Sequence, residues 1–155
     1  MARLKIAMTK ACPIDTDVID ERVVRTTALL ILPLLFLALW QHSPWIALLV
    51  AADFGLRGGG LRRLSPLARL ARIIVSVAGG TVVMVNTGPK RFAAKIGFVF
   101  SVLVAATLAA HLVTPAWIVG GALGACAALE GFLGLCVGCR IYQFLPHRTP
   151  QPQRP

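Results

Sequence analysis

The sequence predicts an all-α membrane protein, with four transmembrane helices arranged as two hairpins plus a cytoplasmic-face amphipathic helix. Three observations carry that expectation. Of 155 residues, 57% are hydrophobic and only 14% are charged, where a soluble domain carries closer to about a quarter. The apolar residues come in blocks long enough to be spans. The formal net charge of +10 comes from Lys and Arg in the connections between those blocks, as the positive-inside rule expects. No aromatic-basic face accompanies that charge, so nucleic acid is not an expected partner.

Residues 1–145 read as one integral membrane domain, too small to include a separate soluble catalytic unit. Met1 to Ala11 is short and mixed, and no small-residue cleavage site follows the first apolar run, so no removable signal is expected. Cys12 precedes Pro13, which favours an extended or turn conformation there. Asp15, Asp17, Asp20 and Glu21 follow, and Asp20 or Thr16 is placed to cap a helix leading into the first span.

The four spans are expected at about 26–41, 44–60, 97–113 and 117–139, each near the roughly 20 residues that cross ~30 Å of hydrocarbon. Gln41-His42-Ser43-Pro44 turns the first pair and Thr114-Pro115-Ala116 the second. Trp40, Trp45 and Trp117 bracket the turns as interfacial anchors. Neither turn holds Lys or Arg. The opposite ends hold Arg22, Arg25, Arg57, Arg62, Arg63, Lys90, Arg91, Lys95 and Arg140, which places both termini and the central connection in the cytoplasm. The two halves also form a loose repeat: basic start, span, His, Ser/Thr-Pro turn, Trp-Ile, span. Such hairpins pack as a four-helix bundle.

The central connection, 64–86, is expected at the membrane surface. Ser65-Pro66 is a helix start, and Leu67, Leu70, Ile73 and Ile74 alternate with Arg69 and Arg72 at helical spacing, as in a helix lying on a membrane. Ile73 to Val85 is β-branched and broken by Gly79-Gly80. It reads as a re-entrant segment, an interfacial hairpin or, least compatible with its charged flanks, a fifth crossing. The Pro-rich tail, 146–155, reads as disordered.

Chemistry points to the sulfurs. Cys136-Val137-Gly138-Cys139-Arg140 ends the last apolar run, and two thiols three residues apart can form a disulfide, hold a metal or pass a sulfur atom. Read as the end of the fourth helix, the pair feels two opposed effects. Arg140 favours a thiolate, and the helix C-terminus disfavours one. The expected topology brings Cys12 to the same side, where a structural disulfide framework is not expected. Cys126 reads as a small core residue. Glu130 and Asp53 are the two acids within spans. An ionised carboxylate there costs roughly 2.5–3.5 kcal/mol or more, so it turns inward and finds a partner. Asp53 has Arg57 at i+4, the spacing of a structural intramembrane pair. Glu130 has no basic neighbour within a turn and is a candidate proton-handling group. Gly120, Gly124, Gly131, Gly134 and Gly138 form a small-residue stripe on the fourth span, a surface for close helix packing or for an oligomer.

Taken together, Cys12-Pro13-Ile14-Asp15, Asp53-Phe54, Ser65-Pro66-Leu67, Pro89-Lys90-Arg91-Phe92-Ala93 and Glu130-Gly131 with Cys136-Val137-Gly138-Cys139 resemble a family of small bacterial membrane proteins catalogued as a domain of unknown function. The resemblance covers nearly the whole chain except the Ile73 to Val85 region. It implies a four-span inner-membrane protein and, through neighbouring thioredoxin-like and rhodanese-like genes, thiol or sulfane-sulfur handling. The family's cysteine motifs fall on Cys12, Cys136 and Cys139.

The leading expectation is therefore a membrane-embedded cysteine protein of thiol–disulfide or sulfane-sulfur handling at the cytoplasmic face. Cys12, Cys136, Cys139 and Glu130 would carry the chemistry, with a thioredoxin-like or rhodanese-like partner. The alternatives are soft-metal binding or transport through Cys12, Cys136 and Cys139, a quinone-linked disulfide enzyme, and a structural subunit without chemistry. No cofactor and no enzyme class is identified by the residues.

Overall fold

In the computed structural model, which describes residues 18–79 and 81–144, the chain is mostly helical. The elements run β1 (Val18–Asp20), α1 (Glu21–Trp40), α2 (Pro44–Gly58), α3 (Pro66–Ala78), β2 (Met84–Asn86), α4 (Thr87–Ala109), α5 (Val113–Ala128), a π-helical turn (Leu129–Leu133) and α6 (Val137–Phe144). Among the described residues, three helical stretches are long and apolar enough to cross a membrane: Glu21–Trp40, Pro89–Ala109 and Val113–Leu133. The expected second span, 44–60, is the 15-residue α2, about 22 Å long at 1.5 Å per residue.

Each helix starts and stops for a local reason. Asp20 caps α1, its Oδ1 accepting the Arg22 N–H at 3.0 Å, so the helix begins five residues before the expected 26. Ser65 caps α3 through the Ala68 N–H at 3.1 Å, with Pro66 in the first turn. This is how a Ser-Pro pair satisfies the free donors of a helix start. The helices α1 and α4 end alike. His42 and His111 both take positive φ, 50° and 57°. Around them, His42 N–H bonds Leu39 O and Ser43 N–H bonds Ala38 O, while His111 N–H bonds Leu108 O and Leu112 N–H bonds Thr107 O. Both are Schellman ends with a left-handed residue in the place glycine usually fills. The repeat read from the sequence thus has the same turn geometry in both halves.

Two expectations are corrected. The fold is not wholly α: β1 pairs antiparallel with β2, Ile19 opposite Val85, because the β-branched run after Gly79 has no helix to continue and finds the extended segment before α1. Within the Ile73 to Val85 region, α3 runs to Ala78 and β2 begins at Met84. The expected span 117–139 is not one helix either. It ends at Leu133, where Gly134 turns left-handed at φ 69° and the chain restarts as α6.

The core is a layer of small and branched side chains between the long helices: Ile31, Leu35, Ala38 and Leu39 of α1, Val50 and Phe54 of α2, Val104 and Leu108 of α4, Leu123 of α5. The glycine stripe is used inside the chain. A Cβ on Gly120 would sit 2.8 Å from a Leu39 methyl, and one on Gly131 would sit 2.6 Å from a Leu29 methyl, so at these glycines α5 and the π-helical turn lie close against leucines of α1. Outward-facing Trp40, Trp45 and Trp117 lie at the two helix turns. Phe36 stacks on Trp40 at 5.9 Å and meets Trp117 edge-on at 6.4 Å.

Candidate functional site

The break at Gly134 decides what the cysteines can do. A π-helical turn carries one extra residue, and its end is correspondingly wide: Gly134 N–H bonds Glu130 O, and Leu135 N–H bonds Leu129 O, six residues back. The exposed carbonyls at this end are taken by α1. Arg25 Nε donates to Gly131 O at 3.2 Å and a terminal Arg25 nitrogen donates to Phe132 O at 2.7 Å. A guanidinium at a helix C-terminus also suits the negative end of its dipole.

The chain then restarts at Cys136. The Cys136 carbonyl accepts the Arg140 N–H at 3.1 Å, the first bond of α6. Its Sγ accepts the Cys139 backbone N–H at 3.3 Å. Cys136 is therefore the N-cap of α6, with sulfur in the role that a Ser or Asp oxygen normally fills. This reverses the sequence reading, which put the pair at a helix C-terminus. The dipole of α6 now favours a thiolate on Cys136.

Cys136 is buried and Cys139 partly so. Both lie beyond Leu133, past the end of the last long apolar helix. The Cys139 thiol, giving its hydrogen to Cys136, holds the Cys136 thiol below its ordinary range. The Cys139 backbone N–H and the nearby Lys90 ammonium act the same way, against burial and the Glu130 carboxylate. Giving up that hydrogen bond to Cys136 pushes the Cys139 thiol up, and burial adds to it. The surroundings of the two sulfurs thus push them in opposite directions, Cys136 down and Cys139 up.

Close by, Lys90 Nζ at the start of α4 lies 2.8 Å from Glu130 Oε1. Lys90 was not singled out as a site residue, because the sequence reading used it for orientation and as part of the Pro89-Lys90-Arg91-Phe92-Ala93 motif. The available signal was that a span carboxylate with no basic neighbour on its own helix must find one on another. The α6 backbone presses on α4 here: a Cβ on Gly138 would lie 2.7 Å from Ala93 Cβ and 2.9 Å from Ala93 Cα.

Beside the thiol lies a cavity of about 230 Å³. Its apolar wall includes Ile31, Phe54, Phe100, Leu123 and Ile141, and its polar edge is Cys136, Cys126, Glu130 and Arg57. Cys126, expected to be a small core residue, is instead exposed, and it lines this cavity together with Cys136. Arg57 leans over the Phe54 ring at 4.5 Å, a cation–π contact. Its Nε lies 2.9 Å from Asp53 Oδ2. Asp53 is buried and also ties α3 to α2, its Oδ1 accepting from Ser65 Oγ at 2.5 Å and from the Leu67 N–H at 3.3 Å.

Cys12 lies outside the described residues. Among the described residues, no group of three His, Cys, Asp or Glu side chains is placed to hold a metal ion. The structure brings together Cys136, Cys139 and Glu130, and adds Lys90 and Cys126.

Residues 19–147 match a family model described as a domain of unknown function (DUF4395). The match contains Cys136, Cys139, Glu130 and Lys90 and begins after Cys12. No curated protein and no solved structure matches the chain.

Proposed function

The chain belongs to the DUF4395 family, and we propose that it is a membrane-embedded thiol–disulfide exchange protein whose working pair is Cys136 and Cys139. The observation that carries this reading is the Cys139 N–H donated to Cys136 Sγ at the start of α6. A CxxC pair at a helix N-terminus is the arrangement that lowers the pKa of a thiol and makes it an attacking group.

The exchange follows from the inequality of the sulfurs. The Cys136 thiolate attacks one sulfur of a partner disulfide, forming a mixed disulfide and releasing the other partner sulfur as a thiolate. Cys139 then attacks Cys136 Sγ, its proton passing to a released thiolate. The partner leaves as a dithiol, two electrons richer, and Cys136–Cys139 becomes a disulfide. A soluble thioredoxin-like dithiol running the same steps in reverse would restore the pair. The same thiolate would accept a sulfane sulfur from a rhodanese-like donor as a persulfide. Lys90 and Glu130 adjust the charge around Cys136. Cys12 is a third thiol whose part in the site rests on the sequence.

Four crossings in two hairpins, with both termini in the cytoplasm, complete the reading. The Lys and Arg distribution supports that orientation. α2 packs along α4, so a short helix can cross inside the bundle without meeting lipid along its whole length. The cysteines then lie at the cytoplasmic face of an inner membrane.

Mass spectrometry of alkylated full-length protein, after oxidant, reductant or a sulfane-sulfur donor, tests the proposal. A Cys136–Cys139 disulfide that forms and is reduced by thioredoxin supports exchange. A mass gain of one sulfur on Cys136 selects the persulfide variant. Thiols inert under every treatment refute both.

A further inference from the structure

The cavity of about 230 Å³ beside Cys136 joins two environments. At one end its wall is α6, with Cys136 and Ile141, beyond the end of the last long apolar helix. From there it runs between α4 and α5, past Phe100 and Leu123, inside two stretches long and apolar enough to cross a membrane. Ala122 and Cys126, one turn apart on α5, line it and are exposed. The cavity therefore opens on the flank of α5 at the depth of the spans, where the molecules that reach it come from lipid.

The interior suits a flat ring with a polar substituent. Phe54 and Phe100 both line it, and aromatic side chains pack on other rings in offset or edge-on geometry. The charged lining residues Arg57 and Glu130 already hold opposite charges: Arg57 Nε lies 2.9 Å from Asp53 Oδ2, and Glu130 Oε1 lies 2.8 Å from Lys90 Nζ. What this edge still offers is a hydrogen-bond donor. A terminal nitrogen of Arg57 is buried with no hydrogen-bond partner among the described residues, and such a group costs stability until it finds an acceptor. A mostly apolar pocket with a few polar groups to fix orientation is the usual form of a small-molecule site.

We infer that this cavity binds a quinone from the membrane and, on the exchange reading already proposed, that the quinone takes the electrons of the Cys136–Cys139 dithiol. A quinone is lipid-soluble and uncharged, its carbonyl oxygens accept hydrogen bonds, and it oxidises thiols. Those properties match the opening between the spans, the Arg57 donor and the sulfur in the wall. The Cys136 thiolate forms a C–S bond to a ring carbon of the quinone. Cys139, losing its proton, attacks Cys136 Sγ; the S–S bond forms, the C–S bond breaks, and the ring keeps the electron pair. With the two protons given up by the thiols the quinone leaves as a quinol, and the cysteine pair is left as a disulfide. A soluble thioredoxin-like dithiol that then reduces the pair would pass its electrons from water into the lipid phase.

The test mixes the reduced full chain in detergent, without oxygen, with duroquinone, whose fully substituted ring retains no thiol adduct. Quinone absorbance and mass spectrometry of the alkylated protein follow the reaction, and one quinol is expected per Cys136–Cys139 disulfide. Oxidised glutathione, charged and confined to water, is the parallel oxidant. Ala122→Phe, at the opening, should slow oxidation by duroquinone roughly tenfold or more and leave the glutathione reaction near wild type. Ala125→Phe, exposed on the same helix but outside the cavity lining, should leave both reactions unchanged. Thermal shift of a Cys136→Ser/Cys139→Ser variant with duroquinone reads binding apart from the chemistry. Thiols that glutathione cannot oxidise sink the exchange reading, and the shift of the double variant then decides the binding site by itself. A pair that glutathione oxidises but duroquinone neither binds nor oxidises overturns the quinone site. Binding without oxidation overturns the electron transfer. Ala122→Phe slowing both oxidants alike, or neither, overturns entry between the helices.

Discussion

The backbone N–H of Cys139 donates to the sulfur of Cys136 across 3.3 Å, which makes the first cysteine of the pair the cap of a new helix. Iodoacetamide labelling across a pH series checks the consequence. Only the thiolate reacts, and the Cys136 thiol is held low chiefly by the Cys139 thiol. Cys136 should therefore label half-maximally below the ordinary thiol range, with Cys139 labelling well above it. Cys139→Ala should move the Cys136 profile to higher pH while leaving the backbone contribution in place. Identical profiles for the two cysteines would refute the inequality.

Gly138 sets how closely α6 can lie on α4. A Cβ there would fall within 3 Å of both Cα and Cβ of Ala93, and that backbone cannot swing away as a flexible side chain can. Gly138→Val is expected to lift α6 from α4 and expose Cys136, raising its labelling rate at saturating pH. Overpacking of this kind typically costs about 1–3 kcal/mol. Ala93→Gly in the same chain should return part of the loss, measured as recovery of the detergent melting temperature.

The fold was legible where local chemistry decides it. Ser65-Pro66, Asp20 and the apolar blocks announce their helices, because caps and hydrophobic runs act within a few residues. The end of the fourth helix was not legible. Leu133 and Leu135 read as a continuing apolar run, and what stops the helix is Gly134 together with Arg25, more than a hundred residues away, on the carbonyls of Gly131 and Phe132. A separation of 40 residues likewise hid Lys90 from Glu130. The strand pair 18–20 with 84–86 was missed for a related reason: three residues of strand have no signature until their partner is known. The thiol pair itself was visible as CxxC, but the direction of the dipole acting on it depended on that unseen break.

His42 and His111 occupy left-handed positions that glycine takes without a Cβ penalty. An L-residue there pays roughly 1–2 kcal/mol, partly offset by the ~0.5–1 kcal/mol that glycine loses in unfolded-chain entropy. His42→Gly and His111→Gly should each stabilise the protein by about 0.5–1 kcal/mol in a detergent unfolding titration. Destabilisation by either would show that the imidazole makes a contact worth more than the strain.

Asp53 is 1% exposed and Arg57 11%, so neither charge has water to fall back on. Asp53→Ala strands the guanidinium and also removes the acceptor for Ser65 Oγ and the Leu67 N–H. A loss of about 3–5 kcal/mol is expected, the usual cost of breaking one side of a buried pair. Asp53→Leu with Arg57→Met should be milder than Asp53→Ala alone, because no uncompensated charge remains. A double variant worse than the single would mean that the pair supplies net stability rather than mutual neutralisation.

The Lys90–Glu130 pair, 2.8 Å apart, acts on Cys136 through charge, and its two halves pull in opposite directions. The ammonium lowers the Cys136 pKa and the carboxylate raises it. Lys90→Gln removes a positive charge that favours the thiolate, so the Cys136 labelling profile should move to higher pH. Glu130→Gln removes a negative charge that opposes the thiolate, so the same profile should move to lower pH. A structural role alone would shift both variants the same way, through loosening of the α4–α5 contact. Opposite shifts with unchanged helicity by circular dichroism would identify the pair as the electrostatic setting of the thiol. Parallel shifts would reduce it to a helix clamp.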